Sequence, residues 1–318
     1  MRSFVIGKND SGQRLDKFLE KAVPLLPKSL MYKYIRLKRI KLDGGRTEFN
    51  TILKEGSLLE LYINDEFFSH NRDLYFLSAP DKLSIVYEDE NILIVNKESG
   101  LIVHEDSDES VDTLINRIKR YLYNKKEYDP EKENSFAPAL CNRIDRNTEG
   151  LVIAAKNAQS LKILNDKIKQ REIDKRYLCI VFGKFNKKED TLKAFLTKNS
   201  DKNIVNISAK GGEKTILTKY KVLKEAGDLS LLEIELLTGR THQIRAHMAH
   251  IGHPLLGDSK YGIGRDSKKY GMRYQALCSY KLTFSFKTDA GILEYLKGKS
   301  FEVPSVSFAE NFEKIALS

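Results

Sequence analysis

The chain has 318 residues, of which 41% are hydrophobic, room for two or three ordinary domains with packed cores. No apolar run is long enough to cross a bilayer, and Lys8, Asn9 and Asp10 interrupt the one short apolar stretch near the N-terminus. Neither a membrane span nor a signal peptide is therefore expected, and cytoplasmic residence is the default. The net charge of +10 is unevenly placed: residues 1–63 carry 13 Lys+Arg against 7 Asp+Glu, a net of +6, whereas the other 255 carry 41 against 37. A basic excess concentrated in the smaller part is the usual electrostatic footprint of a nucleic-acid binder.

In chain order, residues 14–23 predict an amphipathic helix, with Leu15, Phe18, Leu19 and Ala22 at helical spacing. Pro24 and Pro27 break it. Residues 29–37 predict a second helix with Leu30, Met31, Tyr34 and Ile35 inward, and its outer face and exit carry Lys28, Lys33, Arg36, Lys38, Arg39 and Lys41. Asp43-Gly44-Gly45 is a turn between short strands, and residues 58–63 form a further strand. Residues 64–80 read as a linker anchored by Phe67, Phe68, Tyr75 and Phe76, with a second domain over 81–318. There, residues 84–87 and 92–96 predict a hairpin, 111–123 a helix, and 124–135 an exposed, mobile, charge-dense loop. Leu161, Leu164 and Ile168 mark another helix, and 177–182 and 229–237 read as strands. Strands dominate with few strand–helix alternations, which favours an α+β fold with a largely antiparallel sheet over a doubly wound one. Cys141, Cys179 and Cys278 form no CxxC or metal spacing and read as core or near-core thiols.

Three segments carry chemistry. In NRIDRNTEGLVIAAK (142–156), Asp145 lies between Arg143 and Arg146, just before an apolar strand. An oriented carboxylate can attack an electrophilic sugar carbon or stabilise an oxocarbenium ion. Taken alone, a turn aspartate in a surface ion pair is the simpler reading. In LTGRTHQIRAHMAHIGHPLLGDSKYG (237–262), a strand gives way to a helix near Thr241 with Ile244, Met248 and Ile251 inward, and Arg245 can point back toward the preceding loop. His247, His250 and His253 recur every third residue, but there is no HExxH and no nearby Cys, so structural or RNA-contacting histidines are expected rather than metal ligands. In the third segment Tyr177 opens an apolar strand; it reads either as a packing residue or as a ring face for a nucleobase.

Together these segments resemble the large-subunit ribosomal RNA family of pseudouridine synthases. Residues 142–156 match its motif HRLDxxTSGLLLxAK at Arg143, Asp145, Thr148, Gly150, Leu151 and Lys156. The second segment matches a long motif of the family nearly throughout. RYLC (176–179) and ALCSYKLTF (276–284) resemble two of its strands. Asn142, Glu149 and Cys278 depart from the usual His, Ser and His. Residues 12–63 resemble the RNA-binding module of ribosomal protein S-four, the alpha-L fold.

The resemblance implies isomerisation of uridine to pseudouridine in RNA, with large-subunit ribosomal RNA the expected partner and no cofactor or metal. It implies that Asp145 is the catalytic carboxylate, that Arg245 pairs with it, that Tyr177 stacks on the uracil, and that Arg143 helps fill the gap left by a flipped nucleotide. The basic N-terminal surface would bind flanking RNA, with the loop at 264–273 as a second contact. The alternative is a non-catalytic RNA-binding ribosome-assembly factor, against which the set of Asp145, Tyr177 and Arg245 argues. A glycosidase acting on small sugars would need a second catalytic carboxylate, and the matched motifs offer none.

Overall fold

Leu15, Phe18 and Leu19 are all buried on one face of α1 (Leu15–Ala22), which follows β1 (Arg2–Val5). Pro24 lies just past the end of α1, and Pro27 caps α2 (Lys28–Arg36), whose Met31 and Ile35 meet the same core. The chain then forms β2 (Ile40–Leu42), β3 (Gly45–Arg46) and β4 (Leu58–Leu61). These strands make a four-stranded sheet in the order β1-β4-β2-β3, covered by the two helices through Ile40, Leu59 and Leu61. Each fully buried side chain of this size stabilises the fold by roughly 1.5–3 kcal/mol. The computed structural model describes residues 1–68, 74–106, 111–199, 204–262 and 267–317.

A second, larger sheet holds eleven strands. Its first part comprises β5 (Ile85–Glu88), β6 (Ile92–Lys97), α3 (Leu114–Asn124), β7 (Ala139–Leu140), β8 (Glu149–Ala155) and α4 (Ala158–Lys169). Next come β9 (Ile173–Phe182), β10 (Glu189–Asn199), β11 (Ile204–Ser208), β12 (Lys214–Ala226), β13 (Leu229–Leu236) and α5 (Gln243–His250). The chain finishes with β14 (Leu277–Phe284), β15 (Ser300–Glu302), α6 (Ser307–Glu310) and α7 (Phe312–Ala316). The order is β11-β10-β12-β13-β9-β14-β8-β6-β5, with β7 beside β8 and β15 beside β14. Among the described residues the β14–β8 pair is parallel and the other named pairs are antiparallel, so the sheet is mixed.

Both faces of the sheet are covered, which is why the core strand β8 is an unbroken apolar run after Glu149. Leu114, Ile118 and Leu122 of α3 and Ile244 and Met248 of α5 pack on one face, with Val152, Tyr177, Cys179 and Ile234 beneath them. Leu164 of α4, Phe308 of α6 and Phe312 of α7 pack on the other, over Ile153 and Ile180. Strand β14 lies between β9 and β8: Ser279 pairs with Tyr177 on one side and Gly150 on the other. Gly150 has φ +114°, and a Cβ there would lie 2.3 Å from the Ser279 carbonyl oxygen, so this close approach requires glycine.

Several expectations need correction. The stretch 124–135 is not a free loop: Tyr128 and Pro130 are buried, and it docks on the N-terminal unit. Asp10, 1% exposed, accepts hydrogen bonds from Gly7 N (3.1 Å), Asn134 Nδ2 (2.7 Å) and Ser135 Oγ (2.6 Å). Gln13 Nε2 donates to Ser135 Oγ, and Asn9 bonds both Glu133 and the amide of Ala158. Phe68 and Phe76 are buried anchors, but Tyr75 is 69% exposed. The helix expected from 111 begins at Leu114, where Thr113 Oγ1 caps the amide of Asn116. The strand expected from 177 begins at Ile173. The arm formed by β10, β11 and β12 was not anticipated.

Candidate active site

Asp145 sits in the loop between β7 and β8, and its position is fixed by the segment just after β6. Lys97, 1% exposed at the end of β6, donates from Nζ to the carbonyl oxygens of Arg146 (2.8 Å), Leu101 (2.7 Å) and Glu98 (2.8 Å). Ser99 Oγ bonds the Asn147 carbonyl at 2.8 Å, and the Gly100 amide bonds that of Arg146 at 2.9 Å. Burial pushes the Lys97 ammonium down to about 7, against the pull of Asp145, Glu98 and Glu149. Within the loop, the Thr148 amide donates to the Asp145 carbonyl. The carboxylate is left a quarter exposed, at 25% of its side-chain surface.

Arg245 reaches it from α5. The first turn of that helix is tied to β12 by Gln243, whose Nε2 donates to the Leu217 carbonyl and to Thr218 Oγ1, both at 3.0 Å. Arg245 Nη1 donates to Asp145 Oδ2 at 2.8 Å. The other edge of the guanidinium is occupied by Asp258: Nε to Oδ2 at 2.7 Å and Nη2 to Oδ1 at 2.9 Å. This two-point grip sets the plane of the guanidinium and leaves Nη1 for Asp145. Burial opposes ionisation of Asp258, but Arg245 outweighs it and holds the carboxyl below its usual range. Burial likewise opposes the charge on Arg245; Asp258 and Asp145 outweigh it and raise its pKa.

Tyr177 lies in β9 beside Asp145, only 5% exposed. Burial, and then the charge of Asp145, push its hydroxyl up to about 12, so it remains a neutral phenol. His242, at the turn into α5, places Nε2 3.8 Å from Asp145 Oδ2. The site therefore gathers one accessible carboxylate, a buried guanidinium fixed by a second carboxylate, and a buried neutral phenol. A carboxylate aimed in this way can act on a sugar carbon or take a proton from it.

A model of the family described as RNA pseudouridylate synthase matches residues 91–250, which span β6 to α5 and include Asp145, Tyr177 and Arg245. An uncharacterized RNA pseudouridine synthase of Mycoplasma genitalium is 35% identical over 290 residues, 88% of this chain and 88% of that protein. Ribosomal large subunit pseudouridine synthase D of Borreliella burgdorferi is 33% identical over 98% of this chain and 93% of its own. The chain belongs to the RNA pseudouridine synthase family. Its fold is also similar to the solved structure of human RNA Pseudouridylate Synthase Domain Containing 4, with a TM-score of 0.56, 19% identity, and coverage of 74% of this chain and 91% of that one.

In this pseudouridine synthase the departures from the family motif have local roles. Asn142 is buried and bonds β8 at the Leu151 carbonyl (3.3 Å) and the Ile153 amide (2.8 Å). Glu149 is partly buried, and burial raises its carboxyl against the pull of Lys97. Cys278 is buried in the core. Arg143 is exposed, as are Lys28, Lys33, Arg36, Lys38 and Arg39, while Lys41 is half-buried. Lys28 is paired with Glu20 at 3.0 Å, and Arg39 and Lys41 lie over the rings of Tyr34 and Tyr62. Of the spaced histidines, His247 bonds Thr218 Oγ1 and His253 stacks on Phe185; among the described residues no group of three or more His, Cys, Asp or Glu is placed to hold a metal. The loop expected to touch RNA at 264–273 falls partly outside the described residues. Sequence reasoning missed Asp258, His242 and Lys97. Asp258 and His242 lay in the quoted segment with nothing local to mark them; Lys97 had only its odd place in the apolar run ILIVNK.

Proposed function

We propose that this enzyme isomerises uridine to pseudouridine in structured RNA, with large-subunit ribosomal RNA as the substrate and Asp145 as the catalytic carboxylate. The observation that carries this reading is the 2.8 Å pair between Arg245 Nη1 and Asp145 Oδ2, with Arg245 itself gripped by Asp258. The glycosidic bond between the ribose and ring nitrogen one breaks, the base turns, and a bond forms from the ribose to ring carbon five. Carbon five loses its proton and nitrogen one gains one, so no oxidant, reductant or cofactor enters the balance. Asp145 acts at the sugar, Arg245 aims it, and Tyr177 forms the floor under the uracil. Arg143 occupies the space vacated by the flipped nucleotide, whose extrusion costs a few kcal/mol.

Flanking RNA contacts offset that cost. Residues 1–63 serve as an S-four-like RNA-binding module, 64–80 as the linker and 81–318 as the catalytic domain; the two separate sheets support this division. Lys33, Arg36 and Lys38 are exposed and face phosphates, with Lys28, Arg39 and Lys41 beside them. Ribosomal RNA is favoured over transfer RNA by relatives named as ribosomal large subunit synthases, and those names also support a cytoplasmic site of action. Among the described residues no helix is long and apolar enough to cross a membrane.

The test is tritium release from ribosomal RNA labelled at carbon five of uridine, under single-turnover conditions. Asp145→Asn keeps the size and loses the charge, so release is expected to fall by at least about 1000-fold with RNA affinity retained. Release near the wild-type rate removes Asp145 from the chemistry. RNA binding without release by the wild-type enzyme, on any ribosomal substrate, favours a pure binder.

A further inference from the structure

His242 holds a backbone conformation that its side chain does not favour. Its φ is +52° and ψ 19°, in the left-handed region, where a residue other than glycine is strained by about 1–3 kcal/mol. The turn after it is held firmly, since Gln243 is locked to β12 and the Ala246 amide bonds the His242 carbonyl. The imidazole is 9% exposed and meets the ring of Tyr261 edge-on.

The hydrogen bonds around this ring favour one position for its proton. The Val205 amide, at the start of the residues described in β11, donates to Tyr261 Oη at 3.0 Å. An amide can only donate, so the Tyr261 hydroxyl proton is left for another acceptor. His242 Nδ1 lies 3.0 Å from the same oxygen and can accept that proton. With Nδ1 accepting, the neutral ring carries its proton on Nε2, which faces Asp145 Oδ2 at 3.8 Å. Burial keeps the ring neutral; Asp145 and Asp258 favour its charged form, while Arg245 and Lys260 oppose it.

Arg245 Nη1 and His242 Nε2 thus converge on one oxygen of Asp145. The second oxygen, Oδ1, has no hydrogen-bond partner among the described residues. We propose that His242, held as the Nε2–H tautomer by Tyr261, is a positioning residue that fixes the rotation of the Asp145 carboxylate and so presents Oδ1 as the reactive oxygen. This rests on the reading of Asp145 as the catalytic carboxylate. It also assigns a purpose to the unanticipated arm: β11 supplies the amide that begins the hydrogen-bonded pairs Val205–Tyr261 and Tyr261–His242, whose far nitrogen faces Asp145 at 3.8 Å.

The experiment uses the full chain with ¹⁵N-labelled histidine. Long-range ¹H–¹⁵N correlation at neutral pH is expected to show His242 as the Nε2–H tautomer; an Nδ1–H tautomer overturns the proposal. Titration of His242 is then compared in the wild type and in Asp145→Asn. Loss of the facing anion is expected to shift the His242 titration downward, and an unchanged midpoint overturns the pairing. These readouts need no turnover, so they stand apart from the catalytic role of Asp145, which tritium release by Asp145→Asn tests on its own.

Kinetics complete the test. His242→Ala is expected to lower kcat about 10- to 100-fold with KM within a few-fold, as for loss of a fixed donor at the reacting centre. His242→Gln restores an N–H at similar reach and is expected to recover several-fold over alanine. Tyr261→Phe is expected to mix the tautomers and to lower kcat by about 5-fold. A wild-type kcat in His242→Ala overturns the proposal. So does equal loss in the alanine and glutamine variants when both melt like the wild type.

Discussion

At the scale of single residues, the site depends on a buried cation shared by two carboxylates. Asp258 has no exposed side-chain surface and grips two nitrogens along one edge of Arg245. Asp258→Asn removes the charge that balances Arg245 in the interior, so stability is expected to fall by about 3–5 kcal/mol in urea unfolding. Single-turnover rates should drop with it, because Arg245 is then free to turn from Asp145; an unchanged unfolding midpoint contradicts this account. His247 gives a pH prediction. It is 1% exposed, and burial lowers its pKa from 6.5 to about 4, with His250 adding to the effect. The folded pKa is depressed, so between those values the unfolded chain binds more protons than the folded one. Stability is therefore complete above about 6.5 and is lost as pH falls toward 4, by up to about 1.4 kcal/mol per unit. His247→Gln keeps a partner for Thr218 and is expected to flatten that slope between pH 7 and 5; an identical slope rules His247 out as its source. Asp145 and Arg245 were legible in the sequence because each sits in a long matched segment. Asp258 was not, because its partner lies across a turn 13 residues away. Lys97 was hidden more deeply, since its meaning depends on a carbonyl 49 residues further along.

At the scale of elements, the helices and the core strands were readable because their periodicity reports burial directly. The β12 sequence KTILTKYKVLKEA alternates too, with Ile216, Thr218 and Tyr220 inward, but its outward lysines obscured the strand. The stretch 124–135 misled for the same reason. Its charges face solvent while Tyr128 and Pro130, with Phe136 and Pro138 just beyond, pin it from beneath. The junction of β8 and β14 carries the sharpest steric demand. Gly150→Ala combines a positive φ with a Cβ 2.3 Å from the Ser279 carbonyl, so β14 must move off β8. The expected loss is about 3 kcal/mol or more, with activity lost in the remaining folded fraction. A variant that unfolds at the wild-type urea midpoint contradicts this register.

At the scale of the whole molecule, the N-terminal unit is joined to the stretch 133–135 by polar contacts centred on Asp10. Asp10→Ala leaves the Asn134 amide and the Ser135 hydroxyl without this acceptor. The expected cost is roughly 2 kcal/mol, confined to the seam. Limited proteolysis should then cut within 124–135 faster than in the wild type, while the melting of the large sheet changes little. Equal cleavage rates argue that the seam does not hold the stretch down. Nothing in the sequence marked this contact, because Asp10 and Ser135 are 125 residues apart and both are ordinary loop residues by composition.

The place of β14 has a consequence for how the enzyme comes into being. Asp145 is carried by the approach to β8 and Tyr177 by β9, and the sheet path joins those strands through residues 277–284. On a ribosome, which releases the chain from its N-terminus, the four-stranded unit is complete more than two hundred residues before that strand emerges. The nascent protein can thus hold a complete N-terminal sheet while the larger sheet still lacks its central seam. The strands that carry Asp145 and Tyr177 are not joined until residues 277–284 take their place between them.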